Sequence, residues 1–563
     1  MRTWSAILAS AEEVYNPGPS TECRREPASP PRPRPRRAGW RPILPPGLDV
    51  RDTSRQPLAR AITGLALPAA LSFLLQNLYH QNDAWFIGKV GGAATSAMMP
   101  VTMVAVANFG VFLTLARGTQ SLVARTFGAG DLEGVQRALG QGLRLAMLAV
   151  LPMAALEWVY ARELLALMGG EGAALDAGVT YLRMLVCFMP CLFAMPLIDF
   201  SIQGLGDTKT PFKLQLLAVG VNTALNFMLV LPHDLSWGGE GLRLLTRTGS
   251  GGTLVDLSLP LALPLSGSVQ TAGMGVAGAA AATGLSRGFV ALLGLTVLIR
   301  GKGLRLLLTR AMYRHDRRRA GEILRVGVPA GSSTFLFAVV GMFITGLVGR
   351  FGQDALGGYY VGFRAIESAA FMVVLGFGVG AGTVAAHAVG AGDFARARAA
   401  GHMGALLCAV PMLAATLLFL LVPELLASPF SDRPGILAAA AAYLGTMAWC
   451  QLPQSMEMVY GDVMASSGSS VRSALVSIPG NVLRIPLAFG AVAMGWGLAG
   501  IWWAIVATAV LKGLGMAALF RSRSWDRAVL SGRERVLGAA ASAGSARRGA
   551  AGAQLESPEE GTT

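Results

Sequence analysis

Apolar residues along this chain gather into runs long enough to cross a bilayer as helices of about 20 residues, and segments such as Val101 to Leu115 and Leu406 to Val422 are apolar on every side. A large soluble domain would show polar stripes at helical spacing in most of its helices. The pattern therefore predicts an all-α polytopic membrane protein. Runs between turn signals place spans near 61–88, 97–125, 137–160, 175–203, 212–232 and 273–299, and a second six near 323–350, 356–388, 401–426, 435–465, 472–495 and 497–521.

The two sets of six repeat one another. "GAGD" at Gly128 returns at Gly390, 262 positions later, and "LALPAA" around Pro68 is answered 261 positions later by "VGVPAG" around Pro329. "GMGVAGAA" from Gly273 is answered by "GWGLAGIW" from Gly495, only 222 positions later, so the first half carries an insertion of 40 residues at about 233–272. Six helices per half is an even number, so an axis along the membrane normal relates the halves and substrate belongs between them. The expected layout is a tail at 1–60, a first lobe at 61–299, a basic linker at 300–322, a second lobe at 323–521 and a tail at 522–563. The insertion reads as a Gly/Ser/Leu-rich unstructured elaboration, with a mobile external flap as the alternative.

Charge changes the picture in one respect. The chain is 53% hydrophobic and 14% charged with a formal charge of +15, but its basic residues cluster in loops and tails instead of covering one face, so nucleic acid is not an expected partner. Arg300 to Arg325 is strongly basic and Arg521, Arg523 and Arg527 follow the last span, which places the linker and both termini in the cytoplasm of an inner-membrane protein. The Pro/Arg-rich first sixty residues and the tail from about Asp526 cannot bury a core, and Met1 to Ser10 lacks the sustained apolar run of a signal peptide. Five cysteines, at positions 23, 187, 191, 408 and 450, form no disulfide or metal pattern. A monomer in contact with membrane lipids and without cofactor or resident metal is expected.

Candidate chemistry lies in "QNLYHQNDAW", Gln76 to Trp85, inside the first apolar run. Gln76, Tyr79, His80 and Asp83 are spaced i, i+3, i+4, i+7 on one stripe, and Asn222 and Asn226 stack at i, i+4 on the fifth span. A carboxylate at mid-bilayer costs about 2.5–3.5 kcal/mol on insertion scales, so Asp83 is expected to face the bundle interior with partners or to titrate.

An ordered set of motifs then resembles the multidrug and toxic compound extrusion (MATE) transporters over about residues 60–521: "LPAALSFLLQNLYHQNDAWFIGKVGG", "ARGTQSLVARTFGAGD", "IQGLGDTKTPF", "NTALN", "GVAGAAAAT", "GFRAIESAAFMVVLGFGVG" and "VGAGD". The resemblance implies twelve helices in two lobes that rock about a central cleft, with cation entry driving export of amphipathic, often cationic, compounds. Its DinF-like branch implies a cation site in the first lobe built here from Gln76, Tyr79, Asp83, Asn222 and Thr283. Two positions depart from that branch: Asn226 stands where an acid is usual, and Asp199 where an Asn is usual, so the second carboxylate is expected to have moved to Asp199. Burial and a neighbouring acid both disfavour a charged carboxylate, which makes Asp83 with Asp199 a proton-carrying pair, with His80 one turn away as relay. Sodium is the rival ion, held at Asp83 by carboxylate, amide and hydroxyl oxygens.

Other polar residues are weighed beside these. Arg364, Glu367, Glu457, Met98 and Met195 are candidates to line the substrate cleft; the alternatives are an internal ion pair of Arg364 with Glu367, neutralisation of Arg484 by Glu457, and simple packing for the methionines. "GAGD" and "GLGDTKTPF" read as turns, with Asp131 or Thr210 capping the next helix. A lipid-linked saccharide flippase would favour a strongly basic cleft, whereas the spans offer few interior Arg or Lys apart from Arg117, Arg364 and Arg484. A membrane-embedded transferase would need clustered acids or a catalytic histidine pair, which the scattered histidines do not provide.

Overall fold

The computed structural model describes residues 53, 56–90, 92–167, 171–238, 241–247, 253–259, 267–271, 273–300, 316–430 and 433–522. Most of both tails and of the linker lies outside the described residues. The first half contains α1 (Leu58–Val90), α2 (Gly92–Gly128), α3 (Leu132–Val159), α4 (Ala161–Leu167), α5 (Gly172–Cys187), α6 (Met189–Gly204), α7 (Lys209–Val230) and α8 (Gly275–Arg300). The second contains α9 (Arg317–Gly349), α10 (Gln353–Tyr359), a π-helical segment (Tyr360–Glu367), α11 (Ser368–Ala391), α12 (Phe394–Leu421), α13 (Pro423–Ala427), α14 (Pro434–Met447), α15 (Gln451–Ser466), α16 (Ser470–Ala493) and α17 (Gly497–Arg521). Among the described residues ten helical segments are long and apolar enough to cross a membrane, and α5 with α6, bent by 59° at their junction, raises that to eleven. The expected span at 97–125 falls within α2, a helix of 37 residues.

The turns follow their local chemistry. Gly130 (φ 75°) and Gly392 (φ 84°) adopt left-handed backbone that a side chain disfavours. Asp131 and Asp393 then cap α3 and α12 by accepting the N–H of Gly134 at 2.7 Å and of Arg396 at 2.9 Å. Ahead of α7 the cap is Asp207 instead of the expected Thr210: Oδ1 accepts the N–H groups of Lys209 and Thr210, each at 2.9 Å, and Oδ2 accepts the Thr210 hydroxyl at 2.6 Å. A carboxylate reaches the free amides of the first turn and binds the Thr210 hydroxyl as well.

The halves meet through α1 against α11 and α2 against α9. Small residues allow this: a Cβ on Gly376 would lie 2.5 Å from Ala70, and one on Gly327 would lie 1.9 Å from the Thr114 carbonyl. Polar ties fasten the end bearing the two "GAGD" turns. Ser121 Oγ donates to the carbonyls of Ala465 at 3.0 Å and Ser466 at 2.9 Å, His387 Nε2 donates to the Gly204 carbonyl at 2.8 Å, and Arg117 pairs with Asp462 at 3.5 Å. Asp462, in the C-terminal part of α15, thus joins the halves. Leu67, Leu71, Leu78 and Trp85 on the outer side of α1 are exposed, as a lipid-facing surface should be.

The insertion, expected as an unstructured elaboration, is ordered instead. It folds into a four-stranded antiparallel sheet of order β3-β2-β1-β4, with β1 His233–Gly238, β2 Gly241–Arg247, β3 Thr253–Leu259 and β4 Gly267–Thr271. In the antiparallel register Leu235 pairs with Leu244 and with Val269, and Leu244 with Leu257. Arg243 pairs with Asp256 at 2.7 Å and Arg247 with Asp234 at 3.2 Å across the strands. The hydrogen bonds from Arg243 hold the Asp256 carboxyl below its ordinary range. His233 bonds Thr246 Oγ1 of the neighbouring strand at 3.0 Å and anchors the sheet to the lobe through the Phe227 carbonyl. The sheet caps the end of α7 opposite the "GAGD" turns.

Candidate functional site

Asp83 is buried in α1 and is the centre of a polar cluster inside the first half. Its Oδ1 accepts the side-chain amides of Asn222 at 2.9 Å and Asn226 at 2.6 Å, and its Oδ2 accepts the Thr283 hydroxyl at 2.9 Å. Tyr79, Asn222 and Asn226 are buried with it; the Tyr79 hydroxyl receives Asn222 Nδ2 at 3.1 Å and bonds Ser286 Oγ at 2.7 Å. The Asn222 carbonyl in turn accepts Asn226 Nδ2 at 3.1 Å and Asn82 Nδ2 at 2.9 Å. Asn226 Oδ1 is buried without a hydrogen-bond partner. Helical spacing explains the assembly: α1, α7 and α8 each present residues one turn apart to the same axis. The amides stand as donors to the carboxylate, so they satisfy a negative charge without supplying one of their own.

The predicted stripe on α1 divides. Tyr79 and Asp83 turn into the lobe, Gln76 is half-buried, and His80 is exposed on another face. His80 and Gln76 are not among the groups that hydrogen-bond Asp83. Nor is Asp199, which was expected to form a pair with it; Asp199 Oδ1 is buried with no hydrogen-bond partner. The physical reason is α6, which packs mainly against α2, α8 and α3 and touches α7, the helix of Asn222 and Asn226, only slightly. The charge of Arg287 acts on both carboxylates.

Arg287 escaped the reading of the sequence. Its guanidinium lies 4.0 Å from the Tyr79 ring centroid, and its Nη1 donates to Gln215 Oε1 at 3.1 Å and to Met195 Sδ at 3.3 Å. The available signal was its position four residues after Thr283, on the same face of one helix.

In the second half, Glu367 is buried and accepts the Tyr443 hydroxyl and, at 3.3 Å, Gln451 Nε2. It makes no ion pair with the exposed Arg364, because the π-helical backbone of Tyr360–Glu367 widens the turn and takes the two off a shared face. Glu457 is held by Lys512 Nζ at 2.9 Å and Ser477 Oγ at 2.8 Å. Arg484, its expected partner, donates to Thr508 Oγ1 at 3.0 Å instead. Lys512, a single basic residue inside an apolar helix, was likewise overlooked; it also donates to Asn481 Oδ1 at 2.8 Å. Of the residues expected to line the cleft, Met195, Glu367 and Glu457 are buried within their halves, Met98 is half-buried, and Arg364 is exposed. Among the described residues no group of three His, Cys, Asp or Glu side chains could hold a metal ion.

Comparison with known proteins agrees with this architecture. The MatE family model matches twice, at 68–228 and 329–489, the second match displaced from the first by the 261 positions seen between Pro68 and Pro329. A probable multidrug resistance protein NorM of Pseudomonas aeruginosa is 26% identical over 82% of this chain and 88% of its own length, and one of Deinococcus radiodurans is 29% identical over 83% and 95%. A solved structure described as the outward-facing conformation of a multidrug resistance MATE family transporter of the MOP superfamily superimposes with a TM-score of 0.71 at 20% identity, covering 84% of this chain and 99% of that one. With two copies of the family's repeat, helices of membrane-crossing length and the two-lobe fold of its solved members, the chain belongs to the MatE family of multi-pass membrane transporters.

Proposed function

We propose that the chain is a secondary active exporter of small amphipathic compounds, driven by proton entry through Asp83 and by alternate opening of the cleft between its halves. The observation that carries this reading is a buried membrane carboxylate held by three neutral donors from two other helices, with the unpartnered Asn226 carbonyl beside them. A proton on Asp83 removes one acceptor position and adds a donor, so the bonds that hold α1 to α7 and α8 must rearrange. Since α1 also forms the contact with α11, occupancy of Asp83 is linked mechanically to the interface between halves. One charge crossing about 100 mV gains roughly 2.3 kcal/mol, enough to bias such a two-state interface.

The names of the relatives support drug-like cargo, and the basic linker supports cytoplasmic termini in a plasma membrane. With that orientation the fastened end faces the cytoplasm. The first-lobe residues follow the DinF-like pattern at Gln76, Tyr79, Asp83, Asn222 and Thr283. Sodium would require the amide carbonyls to turn toward Asp83, since N–H groups face it now. The test is efflux of a fluorescent amphipath from vesicles under separately imposed proton and sodium gradients, comparing wild type with Asp83→Asn and Asp199→Asn. Proton-driven efflux lost in Asp83→Asn supports the proposal; efflux unchanged in that variant removes Asp83 from the mechanism.

A further inference from the structure

The face of α1 that meets α11 runs Ala66, Ala70, Phe73 and Asn77 at steps of three and four, and the same stripe continues as His80, Ala84 and Gly88. Its first four members are buried or half-buried, whereas the last three are exposed. The partner helix shows where contact stops. Gly380 lies against Ala66 and Gly376 against Ala70, and Asn77 Nδ2 donates to Ser368 Oγ at 3.4 Å. In this antiparallel register the next turn sets His80 opposite the segment containing Arg364, whose carbonyl accepts the Ser368 hydroxyl at 2.6 Å. Above the Asn77–Ser368 contact the two helices part, and an imidazole and a guanidinium remain exposed at the floor of the gap.

The charges around this floor have one sign. His80 is within electrostatic range of Arg364 on the opposite half and of Arg287 behind it. The nearby acids are turned away: Asp83 is satisfied inside the first half, and Glu367 inside the second by Tyr443 and Gln451. Among the described residues Arg364 has no acidic partner within ion-pairing distance. A guanidinium left unneutralised between low-dielectric walls attracts anions and offers a planar fork to an acid group.

We infer that the floor of the cleft is an anion subsite, in which Arg364 and His80, with Arg287 behind them, receive the carboxylate, sulfonate or phosphate of an amphipathic substrate. The inference rests on the exporter reading above and replaces the cationic cargo expected from the family resemblance with an anionic one. The acid group arrives either on a water-soluble amphipath or on a lipid, and the same floor serves both.

The experiment uses the full chain. Equilibrium binding of a sulfonated fluorescent amphipath and of a cationic one of similar size is measured on purified protein, and gradient-driven transport of both is measured in proteoliposomes. Wild type is expected to bind the sulfonate in preference to the cation; Arg364→Gln weakens sulfonate binding about tenfold, Arg364→Lys restores part of it, and His80→Gln weakens it less. Cation binding is unchanged in Arg364→Gln and strengthened in Arg364→Glu. Competition by an alkyl phosphate held in the bilayer, against the same acid free in solution, identifies the source. Preference for the cation in wild type, or sulfonate binding equal in wild type, Arg364→Gln and Arg364→Glu, overturns the subsite. Loss of gradient-driven transport of both probes with the binding preference intact refutes the exporter reading and leaves the subsite standing.

Discussion

Lys512 offers a test whose magnitude follows from its surroundings. The ammonium is buried in α17, bound to Glu457 at 2.9 Å and to Asn481 Oδ1 at 2.8 Å, and among the described residues the Glu457 carboxylate keeps only the Ser477 hydroxyl besides it. Lys512→Met leaves a buried carboxylate without its counter-charge, a change that costs about 3–5 kcal/mol. Glu457→Met strands the ammonium at a similar cost. Replacing both by methionine removes two desolvated charges together and is expected to fall between neutral and about 1–4 kcal/mol more stable than wild type. The buried thiols of Cys408 and Cys450 report the unfolding of this half, because they react with a maleimide only once it opens. The single variants should label at markedly lower temperature, and the double variant at or above that of wild type. A double variant as unstable as either single one, or single variants that melt with wild type, would refute the assignment of a charge-compensating pair.

Further consequences can be checked separately. Gly376→Val places atoms where even a Cβ would be 2.5 Å from the Ala70 backbone, so the fastened end should no longer close; cross-linking of cysteines placed across that end should fall while the protein still folds. Arg117→Gln removes the ion pair to Asp462 and should shift the population toward an open fastened end, read as faster labelling of a cysteine introduced at Ser121. In the sheet, Asp256 titrates below its ordinary range, so the support from Arg243 is present above that range and disappears as pH falls through the lowered value. Proteolysis between β2 and β3 should therefore rise only in strong acid, and a rise already complete near about pH 5 would contradict the pairing.

Periodicity and repetition made most of the fold legible, because lipid exposure imposes long apolar runs and the duplicated motifs fixed their grouping. The cluster of Asp83, Asn222, Asn226 and Thr283 was legible for a related reason: polar residues are costly in these spans and helical phase restricts where they meet. What escaped depended on tertiary detail. Leucine serves strands and helices alike, so the alternation in "TLVDLSL" was hidden in a region read as irregular. The π-helical segment broke the helical phase that would have joined Arg364 to Glu367, and Lys512 instead of Arg484 reached Glu457 because α17 packs closely on α15. Asp199 shows the limit of moving a charge by analogy: its position on α6 kept it out of hydrogen-bonding contact with Asp83, which found amides on α7 instead.

The central claim is that Asp83 couples ion movement to transport. The most direct measurement is proton movement by the reconstituted full chain, followed with a pH-sensitive dye enclosed in the vesicles while a gradient of transported amphipath is imposed. Wild type should move protons against the amphipath, and Asp83→Asn should move none while remaining folded and able to bind the amphipath. Proton movement in Asp83→Asn equal to that of wild type would contradict the account.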